Sequence, residues 1–452
     1  MSSQMSVKQA NKMGIFALTI VCASNMMGSG VFMLPTNLAT IGSISIWGWV
    51  VTIIGVMALA LVFAKTSLLT PRTGGIVAYA NDAFGPFIGF QSTICYWISA
   101  WVGNVALLVA GIGYLSYFFP ALKHPLTGAI TAIIILWAFV VLSSFGARTA
   151  GRVQSFTAIC GFVIIFGVGI LGWWWFDYHN YIQVWNATGK SDTHAIISSS
   201  SIALWGFLGI ESACVSSGQV ENPEKTVPKA TIYGLLITSV CYVASCAVIM
   251  GIVPHDVLIK SPAPFAAAAS YMFGPMAGNI ASGLSVIACF GSICGWLILQ
   301  SEAPRAGAKS GIFPKFFGEV NKNDVPVKSL VFTGVLMSIV LLMTASPNLA
   351  KQFQVIILMS VFASLLPYMY ALVALPIIMS AKKLNKTHSY VTYGALVVIG
   401  MVYSVFALLG SGNDALFWGI TMMVCTIPLY ALVAAGKAKR GDLELYIKDT
   451  DK

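Results

Sequence analysis

The chain has 452 residues, of which 58% are hydrophobic and only 9% are charged, whereas a soluble protein carries about 25% charged residues. This composition excludes an ordinary soluble protein and indicates a polytopic membrane protein. The net charge of +10 would suit nucleic acid in a soluble chain, but in a membrane protein it must first be assigned to loops. The nine cysteines all fall in apolar segments and show no metal-binding or disulfide spacing, so we interpret them as packing residues.

Twelve apolar segments follow one another along the chain, each close to the roughly 20 residues that a membrane-spanning helix needs. We number them 1 to 12 in chain order. They cover about 14–37, 44–68, 86–118, 125–144, 152–176, 196–218, 229–253, 276–306, 328–346, 352–376, 389–410 and 414–436. The sequence therefore predicts an all-α polytopic membrane protein with twelve transmembrane helices.

The basic residues predict the orientation of these helices. If the N-terminus is cytoplasmic, twelve crossings place 21 of the 25 basic residues on the cytoplasmic side. The other four, Lys123, Lys190, Lys260 and Lys351, fall outside. Because cytoplasmic loops of membrane proteins are enriched in Lys and Arg, we expect both termini inside, with residues 437–452 as a cytoplasmic tail. This excess of basic residues in cytoplasmic loops explains the positive charge without a nucleic acid. The lipid bilayer is the expected partner.

Glycines interrupt two of the apolar segments, at residues 25–32 (NMMGSGVF) in segment 1 and at residues 205–212 (WGFLGIES) in segment 6. Glycine weakens a helix, and a break at membrane depth is tolerated only where it lines a cavity or is buried in protein. Two interrupted helices in matching positions of two halves indicate the binding site of a transporter. We expect one transmembrane domain over residues 1–436. It would contain inverted repeats of five helices at about 14–176 and 196–376, plus two extra helices over 389–436.

Glu211 is the one acidic residue that lies deep within an apolar segment, and no Lys, Arg or His lies at mid-depth in any of them. A carboxyl group in this position is costly unless it is protonated or paired. A cationic substrate or a proton could serve as a partner that comes and goes. The alternative is a neutral Glu211 hydrogen-bonded to backbone that the break in segment 6 leaves free.

Other residues near the breaks could contact a substrate. The half-helix that begins at Ser29 and Gly30 would favour a carboxylate at its N-terminus, and the alternative is a packing kink where helices cross. Trp205 and Trp296 could stack on an ammonium or guanidinium group, although such tryptophans more often pack in a core. Asn104, Ser360, Ser364 and Tyr368 are candidate polar lining residues, but Ser and Asn also join membrane helices to each other.

Several motifs resemble those of the amino acid–polyamine–organocation transporters, and most closely those of the bacterial basic amino acid/polyamine antiporters. They are NMMGSGVFMLP at 25–35, Gly74-Gly75 with Ala78-Tyr79-Ala80, WGFLGIES at 205–212, ENPEKTVP at 221–228 and GSICGW at 291–296. The resemblance, nearest to the arginine/agmatine exchanger, implies a LeuT-like fold and alternating access. It also implies a location in the bacterial inner membrane and a homodimer.

The resemblance also assigns roles to residues. It places the substrate's carboxylate and amine at Asn25, Gly28, Ser29 and Gly30, with Trp205, Leu208 and Gly209 from segment 6. It places the guanidinium end at Ala100, Asn104 and Ser360, with Trp296 from segment 8. It makes Trp205, Tyr96 and Tyr368 gating aromatics, Glu211 the acid of segment 6, and Leu107 the neighbour of the substrate's aliphatic stem. We add Ser364, which is one turn from Ser360.

The resemblance ranks arginine first as substrate, with lysine and ornithine as alternatives, each exchanged for its decarboxylation product (agmatine, cadaverine or putrescine) or for another cationic amino acid. This chain departs from the family pattern at Leu107 and Ala100, which replace a Met and a Cys, at Asn81, which weakens the assignment as a putrescine exchanger, and at Val77, which argues against acid activation. No cofactor and no enzyme activity is expected, since no catalytic or phosphate-binding motif is present. The alternatives are a proton- or sodium-coupled amino acid symporter, and a receptor with a transporter fold. Segment 5 carries no lysine, and Ser292 is the one hydroxyl of segment 8 at a suitable depth for a sodium ion.

Overall fold

The computed structural model describes residues 14–27, 30–70, 75–211, 220–309 and 311–439. These residues form α-helices and short 3-10 turns, with no β-strand among them. In chain order the α-helices are α1 (Ile15–Met27), α2 (Leu34–Ala39), α3 (Ser45–Leu69), α4 (Ile76–Phe84), α5 (Pro86–Leu115), α6 (Pro125–Ser143), α7 (Ala147–Leu171), α8 (Tyr178–Ile182), α9 (Asp192–Trp205), α10 (Pro223–Ile252), α11 (His255–Leu258), α12 (Pro264–Phe273), α13 (Pro275–Lys309), α14 (Val327–Met343), α15 (Leu349–Ala381), α16 (His388–Gly410) and α17 (Gly412–Lys439).

Within the described ranges, nine helices are long and apolar enough to cross a membrane. A tenth span results if α1 is combined with the helical turns Val31–Ala39, whose axis is inclined to α1 by 47°. The apolar helix α14 is shorter, with 17 residues, and α9 has 14 residues. The prediction of an all-helical polytopic membrane protein is therefore confirmed, whereas the count of twelve crossings stays a prediction.

Most helices lie where the apolar segments were expected, but several boundaries differ. Helix α10 begins at Pro223 and not near residue 229, because Asn222 adopts a left-handed backbone (φ 43°) that turns the chain into the helix. A proline suits the first turn of a helix, where its missing N–H would have no partner. Helix α15 has 33 residues and extends beyond both ends of the expected segment 352–376.

Two short helices lie outside the twelve apolar segments. Helices α4 and α12 form in connections between the expected spanning segments. In the connection after α13, Phe313 and Phe317 are buried and pack edge-on against Trp97 of α5. Helix α5 thus offers these two side chains an aromatic surface.

The helices differ strongly in burial, and this difference locates the core. In α5, 89% of the residues of the apolar window are buried, whereas the figure is 28% for α16 and 11% for α17. Helix α5 packs along both α13 and α15. The centre of the protein is therefore the α5–α13–α15 contact, and α16 and α17 present most of their apolar side chains outward, as expected for helices against lipid.

Candidate functional site: a central cavity between the interrupted helices

A cavity with about 380 Å³ of empty volume, including its opening, lies at this centre. Thirteen residues line it, from α5, α13, α15 and the end of α9 with the turn that follows. They are Tyr96, Ser99, Ala100, Gly103, Asn104, Leu107, Trp205, Leu208, Glu211, Trp296, Ser360, Ser364 and Tyr368. Eleven of these were candidate site residues in the sequence. Ser99 and Gly103 were not singled out, although both lie on the same helical face as Tyr96 and Asn104.

Helical spacing explains why these residues meet. On α5, Tyr96, Ala100 and Asn104 follow one another at intervals of four, and on α15, Ser360, Ser364 and Tyr368 do the same. Residues three and four apart share one face of a helix. The α5 face and the α15 face both line the cavity.

The carboxylate of Glu211 is buried at one end of the cavity, with 4% exposure. The phenol of Tyr96 donates to its Oε1 at 2.9 Å, and the phenol of Tyr368 donates to its Oε2 at 2.7 Å. None of the lining residues that the structure describes is basic. Both oxygens of Glu211 thus have a neutral donor each, and the described part of the cavity wall holds no basic side chain that could pair with a carboxylate here.

The serines of the cavity hold two helices together. Ser99 Oγ donates to the carbonyl of Ser360 at 2.9 Å, and Ser360 Oγ donates to the carbonyl of Ser99 at 2.8 Å. Ser364 Oγ also contacts Ser99 Oγ. Hydroxyls that are paired in this way join α5 to α15, and a contact of Ser360 or Ser364 with a substrate stays a prediction.

Within the described ranges, three polar atoms of the cavity wall are buried without a hydrogen-bond partner. They are the indole Nε1 of Trp205, the indole Nε1 of Trp296 and the amide Oδ1 of Asn104. Leaving a buried polar group unpaired costs about 1–3 kcal/mol. Two donors and one acceptor in one cavity, beside an acid, are suited to a ligand that carries both an anionic group and a cationic group.

The break in the first apolar segment lies against Trp205. A Cβ atom on Gly30 would lie 1.8 Å from the indole Nε1 of Trp205, so only glycine permits this contact. Gly209 has a positive φ of 104°, and a Cβ there would lie 3.4 Å from the carbonyl oxygen of Asn25. Asn25, Gly30 and Gly209 therefore border the cavity without lining it. Two further candidates, Gly28 and Ser29, lie outside the described residues.

Two buried tyrosines hydrogen-bond to backbone on either side of the first break. The phenol of Tyr242 in α10 donates to the carbonyl of Met26 at 2.8 Å, and the phenol of Tyr114 in α5 donates to the carbonyl of Phe32 at 2.6 Å. The ring of Tyr242 also packs on Phe207, at a centroid distance of 5.7 Å, beyond the end of α9. The sequence analysis missed both tyrosines. Their signal was a hydroxyl group placed deep in an apolar segment, where it needs a partner.

A second, smaller cavity of about 220 Å³ lies between α1, α7 and α13. The part of its wall that the structure describes carries two hydroxyls, Ser24 and Ser292, among otherwise apolar groups. Each is used within its own helix, since Ser24 donates to the carbonyl of Val21 and Ser292 donates to that of Ala288. The sequence analysis found no second hydroxyl beside Ser292, and the structure supplies Ser24 from α1.

An apolar helical bundle with two interrupted helices around a buried acid and unpaired polar atoms defines a membrane carrier of small solutes. Residues 13–434 match the family model described as amino acid permease, and the chain belongs to this family. The resemblance to amino acid and polyamine transporters is confirmed. The protein is therefore a transport protein and not an enzyme.

Three curated relatives match this chain over nearly their whole length. The chain is 39% identical to the putrescine transporter PotE of Haemophilus influenzae, over 95% of this chain and 98% of that protein. It is 37% identical to the putrescine transporter PotE of Escherichia coli, over 95% and 98%. It is 36% identical to the cadaverine/lysine antiporter of Escherichia coli, over 94% and 96%. These names concern putrescine, cadaverine and lysine, so the expectation of arginine stays a prediction.

Proposed function

We propose that this protein is an antiporter that exchanges a cationic amino acid for its decarboxylation product or for another cationic amino acid. The observation that carries the proposal is the buried carboxylate of Glu211, which has two phenol partners and no basic partner among the lining residues. A substrate with net positive charge would neutralise it. The candidate pairs are arginine with agmatine, lysine with cadaverine, and ornithine with putrescine.

The unpaired polar atoms of the cavity support one orientation of the bound substrate, with its carboxylate and its side-chain cation at opposite ends. The substrate's carboxylate would meet the break at Gly28, Ser29 and Gly30, because the indole N–H of Trp205 is adjacent to Gly30 and has no hydrogen-bond partner among the described residues. The side-chain cation would lie toward Asn104 and Trp296, where an oxygen acceptor and an aromatic face are available. In this pose the cavity has an anion-binding end at the break and a cation-binding end at Asn104 and Trp296.

The proposal includes twelve crossings with a five-plus-five inverted repeat and two extra helices. The support is that corresponding segments of the two halves lie at the same cavity. The first segment of each half meets there, since Gly30 lies against the lining residue Trp205, and the third segment of each half, α5 and α13, lines the cavity. Alternating access would rock the interrupted helices against the rest of the bundle. We further propose a bacterial inner-membrane location, cytoplasmic termini and a homodimer, which follow from the charge pattern and the family resemblance.

Exchange is favoured over ion-driven uptake by the second cavity. A hard cation such as sodium takes several oxygen ligands, and among the described residues this cavity offers two hydroxyls that already donate within their own helices. Segment 5 contributes no lysine that could take the place of the ion. Glu211 is then the remaining candidate for a proton carrier, so proton coupling is weakened but not excluded. Its position in the cavity beside two phenols favours a role in substrate binding.

Counterflow in liposomes tests the proposal. Purified protein is reconstituted in vesicles preloaded separately with arginine, ornithine, lysine, agmatine, putrescine or cadaverine, and uptake of each labelled compound is measured. We expect rapid uptake of at least one cationic amino acid into vesicles that contain its amine. Uptake of neutral amino acids alone would contradict the proposal.

Empty vesicles separate the exchanger from the symporter. Uptake of the preferred cation should not occur into empty vesicles under an imposed proton or sodium gradient at zero membrane potential. Concentrative uptake under either gradient would replace the exchanger with the ion-coupled symporter.

A further inference from the structure

We propose that Gln300 is a positioning residue that holds the amide oxygen of Asn104 toward the substrate cavity, and thereby selects a substrate whose far end only donates hydrogen bonds. The inference rests on the proposed function, because it concerns the cation-binding end of the same cavity. Gln300 does not line the cavity. It lies four residues after Trp296 on α13 and is fully buried.

The first step is the orientation of Asn104. Its side-chain Nδ2 donates to Gln300 Oε1 at 2.7 Å, while its Oδ1 is buried and has no partner. Asn104 is 1% exposed and belongs to the cavity wall. An amide has one donor end and one acceptor end. Since the donor end is used by Gln300, the acceptor end is the one available to a substrate.

The second step is what fixes Gln300. Its Nε2 lies 4.0 Å from the sulfur of Met337 on α14. A thioether has no hydrogen to donate and is only a weak acceptor. The NH2 group of Gln300 lies beside this sulfur and its oxygen faces Asn104, the arrangement in which no two acceptors face each other. The sulfur, which lies outside the site, thus favours through Gln300 the orientation in which Asn104 Oδ1 faces the cavity.

The third step is chemical selection. Ammonium and guanidinium groups carry donors and no acceptor, so they match a free Asn104 Oδ1. A carbonyl oxygen at the same position would meet another acceptor, and a hydroxyl would lack the charge that strengthens the hydrogen bond. The arrangement favours a terminal cation over an uncharged group of equal size, independently of the charge on Glu211.

Paired ligands of equal length test the role of Gln300. Binding of arginine and citrulline, lysine and 6-hydroxynorleucine, and ornithine and 5-hydroxynorvaline is measured on purified full-length protein. The variants are Gln300→Leu and Met337→Leu, with Met343→Leu as matched control, because Met343 lies on the same helix and is 79% exposed. Monodisperse elution in gel filtration verifies folding.

We expect Gln300→Leu to reduce the preference for the cation by about three- to tenfold, the effect of one hydrogen bond, because Asn104 can then turn its NH2 group to the cavity. Affinity for the neutral analogue should hold or rise. Met337→Leu should also reduce the preference for the cation, and Met343→Leu should leave this preference unchanged.

Three results would contradict the inference in distinguishable ways. Equal losses for cation and neutral analogue in Gln300→Leu would show that Gln300 only packs. A preference that Gln300→Leu leaves intact would show that Asn104 keeps its orientation without Gln300. A wild-type protein that binds both members of every pair equally would contradict the proposed cation site itself.

Discussion

The phenol of Tyr242 donates a hydrogen bond to the carbonyl of Met26 at 2.8 Å, next to the point where the first apolar segment is interrupted. In an unbroken helix this carbonyl would accept a bond from the N–H four residues later, at Gly30. The ring of Tyr242 lies 2.7 Å from where a Cβ of Gly206 would be. One side chain of α10 therefore contacts both interrupted segments.

We predict that Tyr242→Phe slows exchange and lowers the melting temperature, because the ring stays while the buried hydrogen bond to the carbonyl of Met26 is lost. One such hydrogen bond contributes about 0.5–1.5 kcal/mol to stability. Initial counterflow rates and thermal unfolding in detergent measure the two effects. Tyr233→Phe is the control, since Tyr233 lies on the same helix and is 50% exposed. Wild-type rate and stability in Tyr242→Phe would remove this residue from the coupling of the breaks.

Replacement of Glu211 should reduce transport of cations strongly. We expect Glu211→Ala to reduce the exchange rate by about tenfold or more, the effect of losing a charged hydrogen-bond partner, while inserted, folded protein persists. Glu211→Gln has the donor and acceptor pattern of a protonated carboxyl and no charge. One phenol can still donate to its oxygen and the other must accept from its NH2 group, so a loss in Glu211→Gln close to that in Glu211→Ala points to the charge. Asp256→Asn, at an exposed acid of α11, is the control. Wild-type exchange by Glu211→Ala would contradict a role in substrate binding.

The two tryptophans of the cavity should contribute to cation affinity. We expect Trp296→Leu or Trp205→Leu to weaken binding by about 0.5–2 kcal/mol, and Trp→Phe at either position to cost less, because a smaller aromatic face remains. Isothermal titration with the preferred cation measures this. Trp418→Leu provides a control on α17, where the indole is 57% exposed. Equal affinity of Trp296→Leu and wild type would exclude Trp296 from the site.

Gly30→Ala should displace Trp205 from its place at the break. The added methyl group would lie 1.8 Å from the indole nitrogen, so the ring must move and exchange should be nearly abolished. Gly167→Ala on α7 is the control, because nothing lies within 4 Å of the added Cβ. It should leave transport unchanged and can stabilise the helix slightly. Tryptophan fluorescence would report the displacement, and normal transport by Gly30→Ala would contradict the contact.

The amino-acid sequence by itself determined the class of protein and much of the cavity. Apolar segments of membrane length predicted the helices, because in lipid only a helix or a closed β-barrel pairs all its backbone N–H and C=O groups. Glu211 was identifiable because an unpaired acid in an apolar segment is costly. Residues such as Tyr96, Ala100 and Asn104 were available from motif resemblance and share a helical face by their spacing.

Only the tertiary structure decided how polar atoms pair across helices. Spacing along one helix cannot show that Tyr96 and Tyr368 share the carboxylate of Glu211, or that Ser99 closes α5 onto α15. The roles of Gln300 and Tyr242 arise from partners 196 and 216 residues away in sequence. In the low dielectric of a helical core each buried donor needs an acceptor, and which acceptor lies within reach is set by packing and not by local sequence.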